Sequence, residues 1–404
     1  MRSGLLGCLI GGSLLFAAGG VVAGQIGDVY GKHCAECHGP DRLGGQGPAL
    51  LPQNLSRVSE DEARKVIADG RTATQMPAYA DKLDSEQIQA LVDYIYTPLP
   101  EVPDWGPEQI RGSRVVHHRP GSLPDRPTFD ADPMNLFTVV EKGDHHVTIL
   151  DGDRFEPLVR FKSRFALHGG AKYSPDGRFV YLASRDGWVT KYDLYNFKKV
   201  VEVRAGINTR NIAVSADGQW VAVANYLPHT LTILDARTLE PKRVIPVEGR
   251  EGKSSRVSAV YTAPPRGSFV AALKDVTEIW EIAYAEPALG RIAGDGGRFP
   301  LRRLGLDTYL DDFFFNQAYT RVIGAARDKG QARVIELDSG ERLGTLELGG
   351  MPHLGSGITW DYQGRTVMAT PHLHGGKVSV IDMERFETLR EIDTMGPGFF
   401  MRSH

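Results

Sequence analysis

The sequence predicts a two-domain chain, a small all-α module followed by an all-β propeller, and three observations carry that expectation. Cys34-Ala35-Glu36-Cys37-His38 is followed by a helical pattern over Ser85 to Tyr96, prolines crowd the chain between Pro98 and Pro133, and beyond them one short strand is written five times. In chain order the elements are a leader over 1–24, the helical module over 25–98, a linker over 99–133 and the propeller over 134–404.

The leader reads as a secretory signal. Arg2 is its basic end, Leu5 to Phe16 its apolar core and Val21-Val22-Ala23 a small-residue cleavage site, so the mature protein is expected in the periplasm. Leu5-Leu6-Gly7-Cys8 resembles a lipoprotein box, but almost no apolar chain precedes it. An uncleaved anchor is the other reading. Once the leader is removed, both remaining cysteines belong to one motif, which leaves no pair for a structural disulfide despite an oxidising compartment. A formal charge of -3 over 404 residues, with no basic run, argues against nucleic acid as a partner. A hydrophobic fraction of 41% is ordinary for a globular chain and supports a sizeable core.

Cys-x-x-Cys-His is the covalent attachment site of a c-type haem. Cys34 and Cys37 add to the vinyl groups as thioethers, and His38 binds the iron from one face. Structural zinc is the competing use, but it needs four ligands and the region adds only His33, badly placed for a tetrahedron. A redox dithiol would sit between a strand and a helix, which is not what surrounds the motif. The rest of a small cytochrome c domain follows in order: a turn-rich Gly39 to Pro48, then Ile67 to Gly70, Met76-Pro77 and a helical Ser85 to Tyr96. Met76 is the natural second axial ligand, since a soft thioether opposite histidine raises the potential of an electron-transfer haem. Its alternative is to fill a gap in the core. The Pro48 carbonyl is placed to accept the His38 ring N–H and fix its tautomer.

Pro100, Pro103, Pro107, Pro120, Pro124 and Pro127 mark a linker or wrapping segment without periodicity. Past it, Val147 to Asp151, Val189 to Asp193, Leu231 to Asp235, Val334 to Asp338 and Val378 to Asp382 are copies of one strand, the first three aspartates lying 42 residues apart. Glu278 to Ile282 is a degenerate copy. A turn precedes several of them: Ser174-Pro175-Asp176-Gly177, Ser215-Ala216-Asp217-Gly218 and Asp361-Tyr362-Gln363-Gly364. Turn and strand alternating at this period predict four-stranded blades of a β-propeller, about six of them. The apolar Phe399 to His404 then reads as the first strand of a further blade, so a C-terminally truncated propeller is expected.

A haem c module joined through a proline-rich segment to such a propeller resembles the cytochrome cd1 nitrite reductases and their relatives in haem d1 biosynthesis, over nearly the whole mature chain. The resemblance implies a propeller of eight blades with haem d1, an anionic tetrapyrrole, over its axis. It implies His168, in Ala166-Leu167-His168 ahead of Arg185-Asp186-Gly187, as the axial ligand of the d1 iron. On its residues alone, a lone histidine at a strand start such as His168 is more often a hydrogen-bonded core residue. Arg185, Arg210, Tyr226 and Arg256 stand where the family contacts the macrocycle and its carboxylates, a task that suits the permanently charged guanidinium fork. Each arginine also reads as a solvated surface charge.

The resemblance further implies a distal site with two histidines in the nitrite reductases. One matches His353 in Met351-Pro352-His353, whereas the other position is Asp311 in Tyr309-Leu310-Asp311-Asp312. A carboxylate only accepts hydrogen bonds, and its charge opposes an anionic substrate, so the replacement weakens nitrite chemistry on two counts. One retained distal histidine, a c haem and a leader match the branch of the family that dehydrogenates a propionate of dihydro-haem d1 to the acrylate, with electrons leaving through haem c. His353 is the candidate base on that reading; binding the iron or orienting a propionate are its alternatives. The implied partners are the tetrapyrrole, a periplasmic electron acceptor and a nitrite reductase that receives finished d1. Two further readings stand beside this one. The first is nitrite reduction to nitric oxide, with another histidine such as His372 in the distal role, and the second is a non-enzymatic d1 carrier.

Overall fold

The structure is a computed structural model that describes residues 18–401 except 57, 73, 102, 294–296, 327–330 and 399, with side chains from residue 25 onward but not that of 326. The leader as far as residue 17, Cys8 with it, and Phe399 and Arg402 to His404 lie outside the described residues. The chain forms two compact units, 1–98 and 99–404.

Among the described residues the first unit packs five helices: α1 (Ala18–His33), α2 (Ala35–His38), α3 (Pro52–Leu55), α4 (Glu60–Asp69) and α5 (Ser85–Tyr96). Helix α5 begins at a capping box in which the Asp84 carboxylate accepts the Gln87 N–H (2.8 Å) and the Gln87 side chain accepts the Asp84 N–H (3.1 Å). Its buried Ile88, Leu91, Val92 and Ile95 follow the helical repeat and meet Ile26, Tyr30, Ala63 and Ile67 in one core. Ser59 caps α4, whose first turn carries Glu60, Asp61 and Glu62 toward the positive end of the helix dipole.

Among its described residues the second unit holds six antiparallel sheets, blades I to VI. Blade I has three strands, Leu136–Glu141, His146–Asp151 and Pro157–Lys162; blades III to VI have four each. Blade II has five, because Val115–Val116 adds to the outer edge of Lys198–Arg204. That covers an edge that would otherwise present unpaired backbone groups. The innermost strands of blades II to VI are Lys172–Tyr173, Asn208–Val214, Val257–Ala263, Leu310–Phe315 and Ile358–Tyr362. Side chains stitch neighbours together: Asn211 donates to the Val260 carbonyl at 3.0 Å, and Ser258 to the Leu310 carbonyl at 2.9 Å. Apolar clusters fill the spaces between adjacent blades, one around Trp280 and Phe269 and another around Val189 and Val221.

The repeated aspartate has a local cause. It ends the third strand of a blade, and its carboxylate accepts the next turn's N–H groups, as Asp193 does from Tyr195 (2.9 Å) and Asp235 from Thr238 (2.9 Å). A register shift recurs just before it, at Ile149/Leu150, Lys191/Tyr192, Ile233/Leu234 and Val380/Ile381. Blade V corrects the sequence reading. Its shift falls at Val334/Ile335 and its strand ends on Glu336, so Asp338 lies in the following turn, where it pairs with Arg266 (2.7 Å) and Arg291 (3.0 Å). The expected strand at 399–404 is, at its described positions 400 and 401, irregular; the Met401 N–H donates to the Ser356 carbonyl at 3.1 Å.

Candidate functional site

In the first unit the motif opens the short helix α2, and Cys34 and Cys37 are free thiols of intermediate burial. Burial, with Cys37 nearby, pushes the Cys34 thiol up to about 11. The His38 Nδ1–H donates to the Pro48 carbonyl at 2.8 Å, which leaves Nε2 with its lone pair. Burial lowers the His38 pKa and the Pro48 contact opposes it, so the ring is neutral, the form that binds iron. Gly47 lets the loop lie flat on this ring: a Cβ there would stand 2.8 Å from Cε1. Met76 packs, with Cys34 and Tyr79, against the same core. Two thiols, a neutral imidazole with a fixed tautomer and a thioether on one core fit a covalent haem c.

In the second unit all innermost strands run in one direction, so His168, Arg210, Arg256, Asp311 and His353, at or just before their starts, share one end of the propeller. Turns between the second and third strands of blades II and IV, and between the first and second of blade I, reach the same end and bring Arg185, Lys274 and Lys142, with Tyr226 near the end of the strand Trp220–Leu227. Three groups result.

The first surrounds His168. Its Nδ1–H donates to the Arg210 carbonyl at 2.7 Å, and Arg210 Nη1 lies 2.6 Å from Nε2. Burial first, then the charges of Arg185, Arg210 and Lys142, bring this imidazole down to about 2, so it is neutral at any physiological pH. A neutral ring with one nitrogen tied to a carbonyl and the other bearing its lone pair, among three cations, fits an iron ligand beneath an anionic macrocycle. Lys142 was missed in the sequence. It follows the first strand of three-stranded blade I as Arg185 follows the second strand of blade II, and aligning the two turns would have found it.

The second group surrounds Tyr226. Arg256 lies 5.3 Å and Lys274 5.7 Å from its ring centre. Arg256 grips Asp275 through Nε (2.9 Å) and Nη2 (2.6 Å), so much of its fork is committed within the protein. Lys274 Nζ lies 2.7 Å from Asp311, both side chains being 12% exposed. This revises one of the two arguments drawn from Asp311: its charge is compensated by Lys274 and does not stand bare against an anion. The other argument stands, because a carboxylate in an ion pair still has no proton to donate.

The third group surrounds His353. Ser356 Oγ donates to the His353 carbonyl (2.8 Å) and accepts the His353 Nδ1–H (2.9 Å), which places the lone pair on Nε2, 3.8 Å from an Asp312 oxygen. Asp312 is buried and is itself held by the Tyr261 hydroxyl (2.7 Å) and the Gly355 N–H (2.8 Å). His372 is fully buried and bonded at both nitrogens, Nδ1 to the Gly349 carbonyl and Nε2 to Ser379 Oγ at 2.9 Å. Neither nitrogen is available to a substrate, which removes His372 from the distal role. A cavity of about 430 Å3 runs along the innermost strands, lined by Lys172, Tyr261, Phe313, Phe315, Gly355 and Thr359 among others.

A haem c module and a propeller end built from a neutral histidine among cations define a class, the two-tetrapyrrole redox proteins. The comparisons place the chain within it. The family model described as Cytochrome D1 heme domain matches residues 131–404, and that described as Cytochrome C oxidase, cbb3-type, subunit III matches residues 23–95. The chain is 56% identical to a Dihydro-heme d1 dehydrogenase of Pseudomonas aeruginosa, over 99% of this chain and 78% of that protein. It is 25% identical to a Nitrite reductase of Stutzerimonas stutzeri, over 87% of this chain and 66% of that one. Among solved structures, Dihydro-heme d1 dehydrogenase NirN in complex with DHE superposes with a TM-score of 0.85 at 57% identity, over 94% of this chain and 80% of the other. The chain belongs to the cytochrome D1 heme domain family.

Proposed function

We propose that this protein dehydrogenates dihydro-haem d1, converting one propionate side chain to an acrylate and passing two electrons out through haem c. The observation that carries the choice within the family is the make-up of the distal group. It offers one accessible imidazole, His353, while Asp311 is tied to Lys274 and His372 is bonded at both nitrogens. Nitrite reduction consumes protons at the substrate and wants donors there; dehydrogenation releases protons and wants an acceptor.

His168 holds the iron of the substrate through Nε2. The iron and Arg210 Nη1 compete for that lone pair, so binding releases the Arg210 guanidinium toward a carboxylate of the macrocycle, beside Arg185 and Lys142. His353 Nε2 takes one of the two protons lost from the adjacent side-chain carbons and the other passes to solvent. Ser356 keeps Nε2 the accepting atom, and the Asp312 carboxylate, 3.8 Å away, favours the imidazolium that forms. Haem c, held by Cys34, Cys37, His38 and Met76, supplies a one-electron exit used twice. The site acts in the periplasm, with a periplasmic electron acceptor and a nitrite reductase as recipient of the product. Among the described residues no helix is long and apolar enough to cross a membrane.

Incubating the c haem-loaded protein with dihydro-haem d1 and an electron acceptor tests this reading. A new absorption band from the conjugated acrylate, with two electrons recovered per macrocycle, is the expected result. Tight binding without spectral conversion would make the protein a carrier, and turnover of nitrite to nitric oxide would make it a reductase.

A further inference from the structure

At the opposite end of the propeller, the wrapping segment closes over blade II and leaves a second cavity of about 230 Å3, lined by Arg119, Pro120, Leu123, Arg178, Phe179, Lys191, Asp193 and Arg237 among others. Four of its side chains are cations and one is an anion. Arg178 spends its charge on that anion, donating to Asp193 through Nε (3.1 Å) and Nη2 (2.8 Å). Lys191 is 5% exposed; its ammonium bonds to the Ala236 carbonyl at 3.0 Å and the Arg237 carbonyl at 3.5 Å, above the Phe179 ring at 4.0 Å, while the carboxylates of Asp235, Asp176 and Asp193 act on it from beyond hydrogen-bond distance. Among the described residues, neither the Arg119 nor the Arg237 guanidinium has a hydrogen-bond or ion-pair partner.

Three like charges converging on one cavity repel each other, and a buried ammonium bonded only to carbonyls loses solvation that these bonds and the more distant carboxylates only partly return. Burial accordingly pulls Lys191 down to about 8. An anion in the cavity removes both costs together. At about 30 Å3 per water molecule, the space takes a tetrahedral oxyanion with some of its hydration.

We propose that Arg119, Lys191 and Arg237 form a binding site for a small dianionic oxyanion of the phosphate class, seated between the wrapping segment and blades II and III and separate from the tetrapyrrole face. The anion ties Arg119, which belongs to the wrapping segment, to Lys191 and Arg237, which belong to the blades, so it clamps that segment in place.

Calorimetric titration of the c haem-loaded protein with inorganic phosphate, at ionic strength matched with chloride, tests the site. Saturable binding is expected. In Arg119→Ala/Arg237→Ala it weakens by about 100-fold, at about tenfold for each charge-assisted contact removed, while Arg119→Ala alone weakens it by about tenfold. Both arginines are exposed and neither packs in a core, so the variants fold, which their unfolding midpoints in chloride check. No saturable heat overturns the proposal. So does equal affinity in the double variant, because binding that survives it belongs to the cationic tetrapyrrole face.

Discussion

Replacing Gly355 by alanine asks whether the group around His353 is as tightly built as its distances imply. An added Cβ would stand 2.1 Å from the Tyr261 hydroxyl oxygen, 2.5 Å from an Asp312 oxygen and 2.8 Å from Tyr261 Cζ. Tyr261 cannot swing away freely, since its hydroxyl is bonded to Asp312 and its ring sits edge-on to Phe313 at 5.0 Å. The loop over 353–356 must therefore shift by about 1 Å, which breaks the Gly355 N–H bond to the Asp312 carboxylate and leaves the Tyr261 hydroxyl bond to Asp312 in place. A hydrogen bond to a charged group contributes about 1.5 to 3 kcal/mol, so the local loss is of that size. His353 moves with the loop, and a displacement of that size at a reacting group costs about 100-fold in rate. Gly349→Ala is the matched control, because a Cβ there meets nothing within 4 Å. The assay is the rate of acrylate formation from dihydro-haem d1, alongside the unfolding midpoint. Gly355→Ala should lose about two orders of magnitude in rate and several degrees in midpoint, and Gly349→Ala neither. A Gly355→Ala protein with the parental rate would refute the claim that this loop positions His353.

His168→Ala should lose axial coordination of the d1 iron while the c haem spectrum stays unchanged, as read by absorption and electron paramagnetic resonance; an unaltered d1 spectrum would sink the ligand assignment. Met76→Ala should lower the c haem potential and slow electron exit without abolishing tetrapyrrole binding, which redox titration and a binding isotherm separate. Glu202 gives the pH dependence. Burial raises its carboxyl, but Arg164, His117 and Lys199 outweigh that and hold it at about 2, below the ordinary 4.5. Its stabilisation is thus complete above pH 4.5 and lost as pH falls toward 2, about 3 kcal/mol for a shift of this size. Glu202→Gln should accordingly lower the urea midpoint at pH 7 and converge on the parent near pH 2, and a constant offset across that range would contradict the assignment.

The sequence showed the blades because their turns and strands repeat, and it misplaced the copy in blade V for a physical reason. Sliding a strand by two residues keeps every side chain on its face, so Val334 to Asp338 and Ala332 to Glu336 look alike by periodicity. Only the turn chemistry separates them, and Glu336 stands where other blades carry aspartate. Cys34 to His38 was legible as a site because its residues are contiguous, and the Pro48 carbonyl was reachable ten residues on. The partners of His353 were not, since Tyr261 and Asp312 arrive from two other blades and only the closing of neighbouring innermost strands brings them within 3 Å of one another.

Asp311 shows how a single residue type underdetermines chemistry until its neighbour is known. Read alone, an aspartate on the distal face repels an anionic substrate. Set 2.7 Å from Lys274, it forms a compensated pair with no proton to give. The consequence is asymmetric. Substrate binding is not opposed, because the pair is neutral and Arg185, Arg210 and Lys142 around His168 remain in excess at this end of the propeller. Proton delivery is still absent. A face that tolerates an anionic macrocycle but supplies one imidazole suits the proposed reaction, which gives up protons, and on that proposal the pairing, rather than the loss of a histidine by itself, sets the site apart from a nitrite-reducing one. Restoring the histidine through Asp311→His would therefore not restore nitrite chemistry, because it would leave Lys274 buried beside a second potential cation, where the imidazole stays neutral and the ammonium loses its carboxylate.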